Sequence, residues 1–390
     1  MSGPLKDIRV LDLTRVLAGP FATQILADLG AEVIKIERPG TGDDTRGWGP
    51  PYVKDALGND TSETTYFASC NRGKKSVTLD LADAHAQTRV RELAGKCDVL
   101  IENYKVGDLA RYGLDYASMH SLYPGLIYCS ITGFGQTGPY AERAGYDPIA
   151  QAMSGMMSVT GEAQDRPGTT PQRVGVAVVD LMSGQYSVIG ILAALLHRNE
   201  TGKGQHIDIG LLDVGVASMA NIGSAYLGAG VVSKRNGGVH PSVVPSQVFE
   251  CADGHVIVVA ANDAQFRKLC GAVGRPEIAH DQRFATNPAR VRNRATLTPL
   301  LETIFRSRPV ADWTGALVRA GVSCGPIHSI DRVFDDPQVR ARGMVVEVPY
   351  APAGTLKMMA SPIRMSATPP DSSKPPPLLG EHQREFSGQP

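Results

Sequence analysis

Residues 8–13 form a short aliphatic and β-branched run, Pro20 opens a helix-like segment that reaches Leu29, and residues 32–36 return to strand composition. This order is a βαβ unit, and it constrains the fold more than any other feature, because two parallel strands joined by a helix need helical cover on both faces. Pro20 suits the first helical position, where its missing N–H would go unpaired anyway, and Gly30 suits the stop. Strand-like runs recur at 77–79, 99–101 and 126–131, separated by helical patterns such as 83–93. The alternation predicts an α/β protein with a parallel sheet.

Beyond Gly133 the chain is rich in small residues; Asp180 then precedes a long apolar helical run ending near His197, and 206–209 reads as a further strand. The Ala/Gly/Met-rich stretch 212–230 reads as a buried or intersubunit helix and a linker. A Gly/Pro-punctuated loop at 236–245 opens a second unit, with a strand at 256–260 and amphipathic helices at 264–273, 290–305 and 310–320, the pattern of a small α+β domain. Strand-like segments follow at 343–348 and 356–365, and the Pro-rich stretch 369–377 predicts an extended surface tail.

Thirty-nine Lys plus Arg balance thirty-nine Asp plus Glu, so no global basic field exists to hold nucleic acid or an anionic membrane, and any anion site must be local. Six scattered cysteines without a CxxC pair or zinc spacing predict reduced thiols and no metal centre. The first residues lack a secretory pattern, and the apolar stretch 187–196 is about half of what spans a bilayer. The expectation is a soluble cytoplasmic protein with neither a nucleic-acid nor a membrane partner.

An N-terminal βαβ unit invites a dinucleotide reading, with Glu37 where a ribose-binding acid would sit, but the first turn has only Gly19 where the fingerprint needs three glycines. Basic residues at strand ends, read as placed just after apolar runs, namely Arg15, Arg38, Arg72, Lys74, Lys75 and, further on, Arg111 and Arg143, predict side chains converging on one polyanion outside the strand ends. No GxSxG, HxxxH or HExxH pattern supports serine or metal chemistry. Asp180, between an uncharged run and an apolar helix, reads as an N-cap and also as a nucleophile that the helix dipole keeps ionised.

The segments LDLTRVLAGP (11–20), LGAEVIKIERP (29–39), NRGKKSVTLDL (71–81), DVLIENY (98–104), GFGQTGP (133–139), TGKGQHID (201–208), GVSCGP (321–326) and PLLGEH (377–382) resemble, in order and spacing, the class III CoA-transferases, the family of formyl-CoA and carnitine CoA-transferases. The resemblance implies a Rossmann-like large domain built from both ends of the chain (1–210 and, after a linker, 326–390), a linker at 211–235, a small α+β domain at 236–325, and an interlocked homodimer. It implies Asp180 as the catalytic aspartate, forming a mixed anhydride and then an aspartyl-CoA thioester, with acyl-CoA and a free carboxylic acid as substrates and no permanently bound cofactor. By motif position, Arg15, Val16, Ala18, Arg38, Arg72, Lys74, Lys75, Asn103, Tyr104, Arg111 and Arg143 are implied to grip CoA. Tyr146, Asp147, Gly237, Gly238 and His240 are implied to lie near the reacting thioester. The chain departs from the formyl-CoA enzymes in carrying NGGVHP (236–241) in place of their longer glycine loop.

The competing readings are an α-methylacyl-CoA racemase and a non-catalytic CoA-binding protein. Racemases carry Gly-His-Asp where this chain has Gly145, Tyr146 and Asp147, and a phenol is a poor base at neutral pH. Arg46, Arg72 and His240 are candidates for holding the distal carboxylate of a dicarboxylic substrate.

Overall fold

The computed structural model describes residues 3–165 and 167–386. The chain divides into two compact units: one takes the described chain up to Met156, Val174–Gly230 and the part from Pro337 on, and the other takes Met157–Arg173 and Val231–Asp336.

The first unit is built on strands β1 (Arg9–Asp12), β2 (Glu32–Glu37), β3 (Lys74–Thr78), β4 (Val99–Glu102), β5 (Ile127–Thr132) and β6 (His206–Gly210). They form one sheet in the order β3-β2-β1-β4-β5-β6, every neighbouring pair parallel. This is the strand order of Rossmann-type sheets, whose direction of winding reverses between β1 and β4 and leaves a crevice at their carboxyl ends. Alternate residues serve opposite faces: Val10, Val33, Val99 and Ile127 join one core, while Leu11, Ile34, Leu100 and Tyr128 join the other. Burial on both sides is why these strands read as continuous apolar runs.

The helices that matter for the site are α1 (Ala18–Asp28), α2 (Thr65–Cys70), α3 (Ala84–Ala94), α4 (Asp147–Met153), α5 (Val178–Thr201), α6 (Leu211–Ser218) and α7 (Ala220–Ala229). Helix α1 starts at Ala18, before Pro20. The proline still fits, because the amides of a first helical turn have no partner within the helix. Helix α5 lies very close to α1: a Cβ on Gly184 would stand 2.7 Å from the Ala18 carbonyl oxygen. Only glycine permits that approach, and the approach sets the second turn of α5 beside the start of α1.

By length and composition α5 is apolar enough to cross a membrane, longer than the 187–196 stretch that stands out in the sequence. In this fold its Val179, Val188, Ile191 and Leu195 are buried in the core of the sheet, while Tyr186, Ile189 and Leu196 stay exposed.

Strand β3 is an edge, and the C-terminal segment covers it. Gly73 donates to the Pro375 carbonyl, His382 to that of Ser76, and the Thr78 amide to Gln383 Oε1 at 2.8 Å. The Pro-rich stretch is therefore no loose tail but the approach to a seal on an open sheet edge. Before it, Val345–Tyr350 and Gly354–Met359 pair as an antiparallel hairpin packed on Val53 and Ala68. The second strand stops at Met359, short of the predicted 365, where its pairing with Val345–Tyr350 runs out.

The second unit has a three-stranded antiparallel sheet of β7 (Ser246–Glu250), β8 (His255–Val259) and β9 (Ser323–Pro326) in the order β9-β8-β7. Its core is aromatic, with Phe249 stacked on Phe305 and Trp313 against Phe305. The single helix predicted over 290–305 is two, Asn287–Arg292 and Arg294–Phe305, parted at Asn293, whose side chain donates to the Ala289 carbonyl.

Candidate active site

At the carboxyl ends of β1 and β4 the first unit opens a cavity of about 400 Å³, lined among others by Arg15, Val16, Ala18, Asn103, Tyr104, Arg143, Tyr146 and Asp180. A neighbouring cavity of about 270 Å³ shares Arg15 and Tyr104 and adds Arg38, Arg111 and the segment Leu79 to Ala82. Both lie where an open α/β sheet receives ligands.

The wall between them is pinned across the winding reversal. The Arg15 amide donates to Asn103 Oδ1 at 2.9 Å, and Asn103 Nδ2 donates back to the Arg15 carbonyl at 2.7 Å. The Arg15 guanidinium stacks over Tyr104 and reaches Asp44 at 3.1 Å. Val16 is left-handed (φ 73), a conformation that costs a β-branched residue energy and persists only when its surroundings impose it. Here its amide donates to Asp43 Oδ1, and its carbonyl accepts from the Cys70 thiol. Asp43 is held in turn by Lys35 Nζ, which donates to Asp43 Oδ2 and to the Thr14 carbonyl, both at 2.8 Å. Burial opposes the Asp43 charge, but the Lys35 ammonium beside it prevails and holds the carboxyl down to about 2. The same pairing outweighs burial at Lys35 and pushes its ammonium up.

Asp180 is the third residue of α5, so it is not the N-cap; that position is Ala177, which has no side-chain acceptor. The carboxylate that takes the first-turn amides is Asp147, whose Oδ1 accepts from the amides of Val179 (2.8 Å) and Asp180 (3.3 Å). The expectation that the helix dipole keeps Asp180 ionised fails. Burial, and then the Asp147 charge, push the Asp180 carboxyl up to about 7. Its oxygens accept no hydrogen bond and meet no cation within ion-pair distance among the described residues.

Three of the predicted CoA-gripping cations are not brought to the cavities. Lys74 and Lys75 begin β3, with Lys74 paired to Val33 near the start of β2, so they sit at the end of the sheet away from the crevice. Lys74 is fully buried and donates to Asp12, Asn71 and the Pro20 carbonyl; burial, only partly offset by Asp12, lowers its ammonium to about 8. Lys75 bridges Glu32 and Glu385. Arg72 is buried, bidentate on Asp28 and bonded to the Met359 carbonyl. These lysines precede the apolar run of their strand and so start from its far end.

Arg46 is also committed, forked onto Glu37 and stacked over Phe67. Gly237, Gly238 and His240 belong to the second unit. There Gly237 takes a left-handed φ of 63, and the His240 amide donates to the Ser246 carbonyl. Sequence reasoning missed Leu79 to Ala82, although their place just past a strand-like run was the available signal. It also missed Gln151, whose spacing of four from Asp147 on a helix is that of a facing pair.

The model of CoA-transferase family III matches residues 5–383. The succinate–glutarate CoA-transferase of Agrobacterium fabrum is 49% identical over 98% of this chain and 94% of its own length. The human succinyl-CoA:glutarate CoA-transferase is 43% identical over 97% and 84%. Among solved structures, a CAIB/BAIF family protein from Brucella suis superposes with a TM-score of 0.88 at 46% identity, covering 99% of both chains. The chain belongs to CoA-transferase family III and is a CoA-transferase.

Proposed function

We propose that this enzyme exchanges CoA between dicarboxylic acids of the succinate and glutarate class by covalent catalysis on Asp180. The observation that carries the mechanism is an Asp180 carboxylate that opens into the larger cavity with no donor or cation committed to it among the described residues. A structural buried carboxylate is normally paired, whereas a nucleophile needs free lone pairs. The names of the relatives support the substrate class.

The carboxylate attacks the thioester carbonyl, the C–S bond breaks, and a mixed anhydride and CoA thiolate result. The thiolate attacks the aspartyl carbonyl, expelling the donor acid as its carboxylate and leaving an aspartyl-CoA thioester. An acceptor carboxylate then attacks that thioester, and the released thiolate attacks the acceptor's acyl carbon, freeing Asp180. No proton or external energy source is consumed. Incubation with succinyl-CoA and hydroxylamine should convert Asp180 to a hydroxamate; modification solely at another carboxylate would refute the nucleophile.

In this reading Arg15, Arg38, Arg111 and Arg143 meet the CoA phosphates, and Val16, Ala18, Asn103 and Tyr104 flank the pantetheine arm. Arg38→Ala should raise KM for every acyl-CoA about tenfold or more, the loss of a charge-assisted contact. Lys75→Ala should leave KM unchanged, because its ammonium is taken by Glu32 and Glu385. Equal effects of the two substitutions in steady-state kinetics would reverse the assignment.

The two compact units serve as large and small domains, and the enzyme works in the cytoplasm as an interlocked homodimer. The support for the dimer is the apolar helix α7, none of whose residues is buried, with Leu227 86% exposed. Light scattering that finds a folded, active monomer would exclude it.

A further inference from the structure

The first amides of α5 need acceptors, and Ala177 supplies none. Asp147 fills that need from another helix. Its Oδ1 accepts from two amides of the turn that carries Asp180, and its Oδ2 accepts from Gln151 Nε2 at 2.7 Å. Gln151 Oε1 accepts from the Val174 amide at 2.8 Å, so the pair bolts α4 both to the start of α5 and to the strand of chain leading into it. Asp147 is 3% exposed and Gln151 fully buried.

Capping alone calls for one oxygen, but both oxygens of Asp147 accept, so a carboxylate satisfies the helix amides and Gln151 together. Burying a charge is costly unless it is paired, yet no cation forms an ion pair with Asp147 among the described residues. Its carboxylate stands directly against the turn that carries Asp180, with Oδ1 3.3 Å from the Asp180 amide nitrogen.

We propose that Asp147 is the positioning residue for Asp180: it fixes the turn that carries the nucleophile and keeps a second negative charge beside it, which makes the attacking carboxylate a stronger base and a better nucleophile. This inference rests on Asp180 being the nucleophile. It agrees with an Asp180 carboxyl pushed up to about 7 by burial and then by Asp147. Nucleophilic and general-base reactivity both rise with basicity, so the raised proton affinity strengthens attack on the thioester once the group is ionised.

The other groups that face Asp180 stay in place when Asp147 is changed. Tyr66 projects from α2, its phenol pushed up to about 12 by burial and by the Cys70, Asp180 and Asp147 charges. Arg15, Asp44, Lys105, Asp108, Arg143 and Tyr146 line the rest of the cavity.

The test is the pH dependence of kcat/KM for succinyl-CoA, which reports groups of the free enzyme. In the native enzyme activity should fall as pH drops through about 7, because protonation removes the nucleophile. In Asp147→Asn the midpoint should move down by about one pH unit, since a neighbouring negative charge no longer opposes ionisation. The rate on the alkaline plateau should fall. The phosphates of CoA titrate alike with every variant, so the displacement between variants is the readout.

Asp147→Asn turns an amide group toward Gln151 Nε2, a donor facing a donor that could prevent folding. The double variant Asp147→Asn with Gln151→Glu restores every hydrogen bond. In it the asparagine oxygen takes the two helix amides, its NH2 donates to the new carboxylate, and that carboxylate keeps the Val174 amide. The charge then stands one residue further from Asp180, and the midpoint should lie between those of the native enzyme and Asp147→Asn. A folded double variant with the native midpoint overturns the inference. Asp180→Asn, assayed in parallel, separates the two failures: if it is inactive and the midpoint does not move, only the role of Asp147 falls, and if it turns over normally the nucleophile itself falls.

Discussion

Asp180→Asn is expected to lower CoA transfer by roughly ten-thousand-fold or more while leaving the affinity for acyl-CoA in place. In the proposed mechanism the substitution abolishes the covalent route, which a neutral amide oxygen cannot replace, whereas the ester would keep the cationic and apolar walls of the cavity. The same substitution should make the protein more stable, in a pH-dependent way. The folded-state carboxyl is raised from the ordinary 3.8 to about 7, so its ionisation costs the folded state stability that is intact below about pH 4 and lost as pH rises to 7. Asn has no such cost. The gain should therefore be a few kcal/mol at most, since each tenfold rise in proton affinity on folding corresponds to about 1.4 kcal/mol, and it should be present at pH 8 and absent near pH 4. Urea unfolding at the two pH values checks it. Equal stability of the two proteins at both, or near-native turnover of the variant, would contradict the roles given to Asp180.

The second large effect should come from a residue that touches no substrate. Lys35→Met leaves Asp43 buried without its ammonium and removes a donor from the Thr14 carbonyl, and breaking a buried pair from one side costs about 3–5 kcal/mol. The damage should reach the cavity, because Asp43 also holds the amide of left-handed Val16. Denaturant unfolding should show the loss, and KM for acyl-CoA should rise in whatever fraction stays folded. Adding Asp43→Asn should recover part of the stability, since it removes the stranded charge. A loss below about 1 kcal/mol in the single variant would show that the pair contributes little.

The parallel sheet was legible because its strands are buried on both faces and separated by helical periods, and each predicted strand of that sheet is present within a few residues. What the pattern of charges lacked was direction. Lys74 and Lys75 stand beside an apolar run as Arg15 and Arg38 do, but they precede it, and a strand has a ligand end and a far end. Asp180 stands out by its setting, yet its protonation was misjudged because burial, which exists only in the fold, and then the charge of Asp147, from a different helix 33 residues upstream, raise its carboxyl. Local sequence reports the dipole of a helix but not the distant carboxylate that takes up its amides. Glycine at 184 likewise carries no local mark; its necessity exists only where α1 and α5 meet.

The cover on β3 has a consequence for how this protein is made. Strand β3 leaves the ribosome early, but the Gln383 side chain that caps its Thr78 amide follows 305 residues later. At about 5–20 residues per second, the edge waits tens of seconds or a minute for its partner. During that time a row of unpaired amides and carbonyls is open to any extended chain nearby, including another nascent copy of the same protein. Arrival of residues 375–383 on the sheet is the event that ends this exposure. A truncated product would carry the open edge permanently.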